Sequence, residues 1–296
     1  MADQGCHLPT GWDLLSAAPS YSAFAGILSG FLFLGIITLM TERVNSDSPS
    51  NISKTGAERR EHRIIDARAQ PTRRTVDRSR SLMLFLPAFL SLLASSFVFG
   101  LVSGEQVCAR GYVEGIIASS LLAVGALGVF NGISWMLDAY GESLSAYGKS
   151  NDDLRRTSII ITYIAYILII GSLEIFSIYI INDAFGNKPP SYALVPLGVY
   201  GPLLILSVAV THRWFPPTDE SSRAKAELAS VYFPAAYVVI AIITGSLLNS
   251  YHPAEWQSLN DWKTYLVLSV ALFFPAVTVV VYARSLPDWH RKNAGT

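Results

Sequence analysis

Residues 193–211, ALVPLGVYGPLLILSVAVT, decide the architecture of this chain, because counting them as a membrane crossing or as a loop reverses the sidedness of everything that follows. The stretch carries no charged residue, but it contains Pro196 and Pro202. Proline is tolerated in a membrane helix where neighbouring groups satisfy the carbonyl it frees, so the two prolines do not exclude a span. The basic residues arbitrate, since loops on the cytoplasmic side collect Lys and Arg. With 193–211 as a span, 19 of the 22 Lys and Arg fall on one side and 3 on the other; without it the split weakens to 14 and 8.

Six further stretches are long and apolar enough to cross a hydrocarbon layer about 30 Å thick, which needs about 20 residues of helix. They are 21–40, 82–102, 114–137, 158–181, 229–249 and 264–283. Composition agrees: 51% of residues are apolar and 15% charged, against roughly 25% charged in a soluble domain. The expected fold is an all-α integral membrane protein, a single domain over 1–296 built as a bundle of seven transmembrane helices. The charge split places the N-terminus outside the plasma membrane and the C-terminus in the cytoplasm. Residues 1–20 hold no Lys or Arg and no separate apolar region, so the first span itself is expected to act as the anchor. Trp12, Trp256 and Trp262 then lie near the outer surface and Trp135, Trp214 and Trp289 near the inner one, the depth that amphipathic indole rings prefer.

The long hydrophilic segment, 41–80, is basic and cytoplasmic in this topology. Its polar run 45–51 is expected to be disordered, and a helix is expected from Thr55 up to Pro71, opened by the capping-box spacing of Thr55 and Glu58. Arg73, Arg74, Arg78 and Arg80 stand just before the second span. They are candidates for contact with anionic lipid headgroups, and the alternative is that they only fix orientation. Short surface helices are expected at 10–15 and 253–262.

Small residues mark helix contacts. Ala118, Gly125, Gly128 and Gly132 make a seam along the third span, and Ser22, Gly26 and Gly30 repeat the theme in the first; such residues let helix backbones approach closely. Three spans carry a Pro-Ala dipeptide, at Pro87, Pro234 and Pro275, and the sequences around Phe233 and Phe274 are similar.

Few residues offer chemistry. Glu174 lies about 10 Å inside the fourth span at 1.5 Å per residue, where an unpartnered carboxylate is costly; Ser177 shares its face. Asn131 and Ser134 form a polar face on the third span. These four are the candidates for a polar path, and each has the alternative of a simple hydrogen bond to a neighbouring helix. Cys6 and Cys108 both fall outside in this topology and are candidates for a disulfide in an oxidising exterior. No His, Cys, Asp or Glu spacing calls for a metal, no phosphate loop or nucleophile motif calls for an enzyme, and no cofactor is required. The net charge of zero argues against nucleic acid. Expected partners are the lipid bilayer, anionic headgroups, and a second copy or another membrane chain. The favoured function is a channel or transporter-like protein for a small solute or ion, with Glu174 and the Asn131 face as its path; the alternative is a non-transporting sensor or assembly partner acting through the 41–80 loop.

Overall fold

A computed structural model describes residues 14–46, 73–145, 151–184, 200–201, 204, 220–250 and 262–286. Its regular elements are all helices: α1 (Leu14–Ser46), α2 (Arg73–Val102), α3 (Cys108–Ser145), α4 (Asn151–Ala184), α5 (Glu220–Ser250) and α6 (Trp262–Ser285). Each contains a stretch long and apolar enough to span a bilayer, from 20 residues in α6 to 30 in α3. The chain is therefore an all-helical multi-pass membrane protein, with six such helices among the described residues. The stretch 193–211 lies outside them apart from Tyr200, Gly201 and Leu204, which are helical. The expected disorder at 45–51 falls there too apart from Asn45 and Ser46, which end α1, as do the expected helices at 55–70, 10–15 and 253–262, the last two apart from Leu14, Leu15 and Trp262.

The helices run past the apolar stretches that mark them, because charged residues at a helix end reach water or a partner while the backbone stays hydrogen-bonded. So α2 begins at Arg73, and α3 begins at Cys108 and carries Arg110 and Glu114 in its first two turns.

α3 is the hub and touches all five other helices. Its closest neighbour is α2, and the small-residue seam explains why. A methyl group on Gly132 would stand 2.4 Å from Phe85 Cε1, one on Gly125 2.7 Å from Leu92 Cγ, and one on Gly128 2.8 Å from Ala88 Cβ. Glycine there lets α2 lie directly on the α3 backbone. In lipid, helices gain little from hiding apolar surface, so close packing and hydrogen bonds hold them together. The bonds are present: Ser91 and Ser95 of α2 donate to the carbonyls of Leu121 and Ala118 at 2.7 and 2.8 Å.

α1 rests on the other side of α2. Ser22 and Ser96 donate to one another's backbone carbonyls, both at 2.8 Å, and Gly26 brings Ser96 Oγ within 3.2 Å of where a Cβ would be. Gly30, expected in the same contact, faces open space. α5 and α6 meet at their proline segments, where Phe274 stacks on Phe233 and Tyr237 with ring centroids 5.2 and 4.8 Å apart. Phe233 and Phe274 are the equivalent positions of the two similar sequences, so the likeness falls on one contact.

At the Trp135 end of α3, Arg80 joins three helices. Its guanidinium pairs with Glu227 of α5 at 3.0 Å and lies 5.0 Å over the Trp135 ring. Trp135 is 1% exposed: the indole is covered by protein, with Arg80 over its ring.

Candidate functional site

Glu174 is half-buried on α4 and its Oε1 accepts the backbone N–H of Gly201 at 3.3 Å. A Cβ on residue 201 would stand 1.9 Å from Glu174 Oε2, so a larger residue there has to displace the carboxylate. The neighbouring Tyr200 hydroxyl donates to the carbonyl of Leu272 on α6. Tyr200 and Gly201 thus lie between α4 and α6, tied to both. Ser177, expected to work with Glu174, is buried and donates to the carbonyl of Leu173 at 2.8 Å. Its proton is spent on its own helix.

Asn131 and Ser134 are both buried. Asn131 Nδ2 donates to Ser285 Oγ of α6 at 3.1 Å, and Ser134 Oγ accepts from Ser158 Oγ of α4 at 3.3 Å. One face further along α3, Ser120 bonds to the hydroxyl of Tyr237 on α5. The polar positions of α3 therefore provide one tie each to α4, α5 and α6, each worth about 0.6–2 kcal/mol between membrane helices. Asn131 and Ser134 each make an interhelical bond.

A groove of about 810 Å³ lies elsewhere, lined by α1, α2, α3 and α4. Tyr21, Phe31 and Leu39 form one wall, Ala126 and Phe130 the floor, and Phe176 part of the other wall. None of Glu174, Ser177, Asn131 and Ser134 lines it. Ser119, one of its two serines, turns its hydroxyl back to the carbonyl of Gly115 at 2.7 Å. The groove is apolar at the depth of the spans, so in a bilayer hydrocarbon fills it.

A charged group that the sequence reading did not single out sits at the Cys108 end of α3. Glu105 Oε1 accepts the N–H groups of Gln106 and Val107, each at 2.9 Å, and its Oε2 accepts Arg110 Nε at 2.5 Å. Burial alone would raise the Glu105 pKa, but the Arg110 and backbone hydrogen bonds outweigh it and hold the carboxyl below its ordinary value. Glu114, 2% exposed, lies one turn below Arg110 and within its field. Arg110 thus stands between two carboxylates. The available signal was the spacing Glu105, Arg110 and Glu114, which puts Arg110 and Glu114 on one helix face at i and i+4; starting the span at 114 concealed it.

Cys108 opens α3 and has a partner; Cys6 lies outside the described residues. Arg73, Arg74 and Arg78 fall in the first turns of α2, and Arg80 is engaged with Glu227 and Trp135. Among the described residues no three His, Cys, Asp or Glu side chains gather as a metal site. No family model, curated protein or solved structure matches the chain.

Proposed function

We propose that this chain is a non-transporting membrane component, a sensor or assembly partner that acts through its lipid-facing surface and the 41–80 segment. The observation that carries this reading is the fate of the four polar-path candidates. Asn131, Ser134 and Ser177 are bonded within the bundle and Glu174 is capped by Gly201, while the large groove is apolar and avoids all four. A conduit for ions or polar solutes needs polar groups facing a shared aqueous space, and each of these is turned to a partner within the protein. Purified protein in liposomes is the test. Efflux of potassium, protons and glycerol should equal that of empty vesicles; efflux that Glu174→Gln abolishes would establish the channel or transporter reading instead.

The proposal includes a seventh crossing by 193–211. Its support is the sidedness of the neighbouring helices. Ser158 near the start of α4 bonds to Ser134, and Glu227 near the start of α5 pairs with Arg80 above Trp135, so both helices begin at the Trp135 end of α3. α4 has 34 residues, about 51 Å at 1.5 Å per residue, a length that supports a return across the bundle between α4 and α5. Tyr200 beside Leu272, and Leu204 in the same cluster as Leu84 and Trp135, fit a return in that direction. Cysteines introduced at 187 and 216 should label from opposite sides of the membrane, and labelling from the same side would remove the crossing.

The same reading keeps the N-terminus outside the plasma membrane and the C-terminus in the cytoplasm, a Cys6–Cys108 disulfide outside, and Arg73, Arg74 and Arg78 against anionic headgroups, with Arg80 shared between those headgroups and Glu227. A second copy or another membrane chain is the expected partner. The disulfide is checked by thiol alkylation with and without reductant: labelling of both cysteines without reductant excludes it.

A further inference from the structure

Three buried polar atoms inside the bundle have no hydrogen-bond partner: Asn131 Oδ1 on α3, the Tyr166 hydroxyl on α4 and the Tyr282 hydroxyl on α6. All three residues are sealed, with exposures of 0%, 2% and 0%. Native proteins rarely leave such atoms unpaired, since nothing in an apolar interior replaces the lost water. Their coincidence in one place is therefore informative.

They share a neighbourhood. Tyr166 and Tyr282 belong to one core cluster with Leu127, Leu204 and Val279, and the Tyr166 hydroxyl is within electrostatic reach of that of Tyr282. The Tyr282 hydroxyl lies over Gly128, 3.0 Å from where a Cβ would stand. Gly128 and Asn131 are three residues apart on α3, which sets their side-chain origins about 5–6 Å apart on one helix face. The Tyr282 hydroxyl and the Asn131 side chain are thus neighbours on that face, yet neither Oδ1 nor the hydroxyl has a direct partner, which suits a single bridging molecule. Asn131 is already oriented, because its Nδ2 donates to Ser285 and Ser285 in turn donates to the Tyr282 carbonyl at 3.0 Å. Its Oδ1 is thereby held as an acceptor.

The chemistry of the set is two hydroxyl donors and one amide acceptor. We propose that Asn131, Tyr166 and Tyr282 bind a single water molecule that bridges α3, α4 and α6. The water accepts from the two phenols and donates to Asn131 Oδ1, leaving one hydrogen for a further acceptor. A cation does not suit a site with two donors, and an anion does not suit the amide oxygen. This site is independent of the transport question, because it is closed on every side.

The sign of a stability change tests it. A dry orphan hydroxyl destabilises the fold, so replacing it with hydrogen raises the melting temperature; a hydroxyl bonded to water lowers it on removal. In lipid nanodiscs, Tyr166→Phe and Tyr282→Phe should each lower the melting temperature by a few degrees. The double variant should fall by less than the sum, because the same water is lost once. Both variants keep the ring, and a second measurement needs no variant: X-ray hydroxyl-radical footprinting of the wild-type protein should modify Tyr166 and Tyr282, since radicals form at bound water. A rise or no change in either single variant, strict additivity in the double, or no modification at either tyrosine overturns the proposal.

Discussion

α1 and α3 have nearly the same hydropathy over their apolar windows, 2.2 and 2.0, yet 17% of the first is buried and 72% of the second. The difference lies in small and hydroxylated residues. Gly111, Gly115, Gly125, Gly128 and Gly132 of α3 each hold a neighbouring side chain at contact distance, whereas Gly30 and Gly35 of α1 face nothing within 4 Å. The threonines of α1 return their protons to their own helix, Thr38 to Leu34 and Thr41 to Ile37, both at 2.9 Å; Ser120, Asn131 and Ser134 of α3 each bond to another helix. Apolarity sends a helix into the membrane. Whether protein or lipid then surrounds it depends on where the backbone is left bare enough to be approached.

The largest expected effect breaks this comparison directly. Gly128→Val forces branched carbon against Ala88, whose Cα is itself only 3.5 Å from a modest Cβ, so α2 must move; the cost is about 2 kcal/mol or more. Gly30→Val on α1 should leave the thermal midpoint unchanged within error. Equal losses at the two sites would show that α1 packs as tightly as α3.

A smaller effect separates bonds between helices from bonds within one. Replacing Ser91 and Ser95 together by Ala removes two α2–α3 bonds and should cost about 1 kcal/mol, at about 0.6 per bond. The matching pair Thr38→Ala and Thr41→Ala should cost nothing measurable by chemical unfolding in the same detergent. Arg80→Gln comes next, removing the pair with Glu227 and the contact over Trp135 for about 0.5–1 kcal/mol; quenching of Trp135 fluorescence by an added aqueous quencher should rise with it.

The smallest effect concerns the Cys108 end of α3. The Glu105 carboxyl lies below its ordinary value of 4.5 in the folded protein. Its contribution is therefore complete above that value and is lost as pH falls through the lower folded value. Thermal midpoints recorded from pH 7 down to pH 3 should show a decline below pH 4.5 that Glu105→Gln reduces, with other carboxyl groups supplying the remainder.

Much of this was legible in the sequence. Six helices follow from apolar length alone, and the seam at Gly125, Gly128 and Gly132 is visible as small residues on one face, which fixed a close contact without naming α2 as its partner. Glu174 stood out because a carboxylate at that depth is costly. Its partner is a backbone amide at Gly201, and backbone amides leave no trace in a side-chain pattern. Asn131 was marked as polar and deep, but Ser285 lies 154 positions away, beyond any local periodicity. The groove was invisible for a different reason: it belongs to no helix and exists only because α1 and α4 stand apart over α3.

The mutual bond between Ser22 and Ser96 has a consequence for how the protein is made. The ribosome completes α1 well before Ser96 is synthesised, so α1 must rest in the bilayer with its hydroxyl turned to its own carbonyls, as Thr38 and Thr41 still are. Its weak attachment is thus the trait that lets it wait: a first helix that needed partners to tolerate lipid would be lost before they arrived.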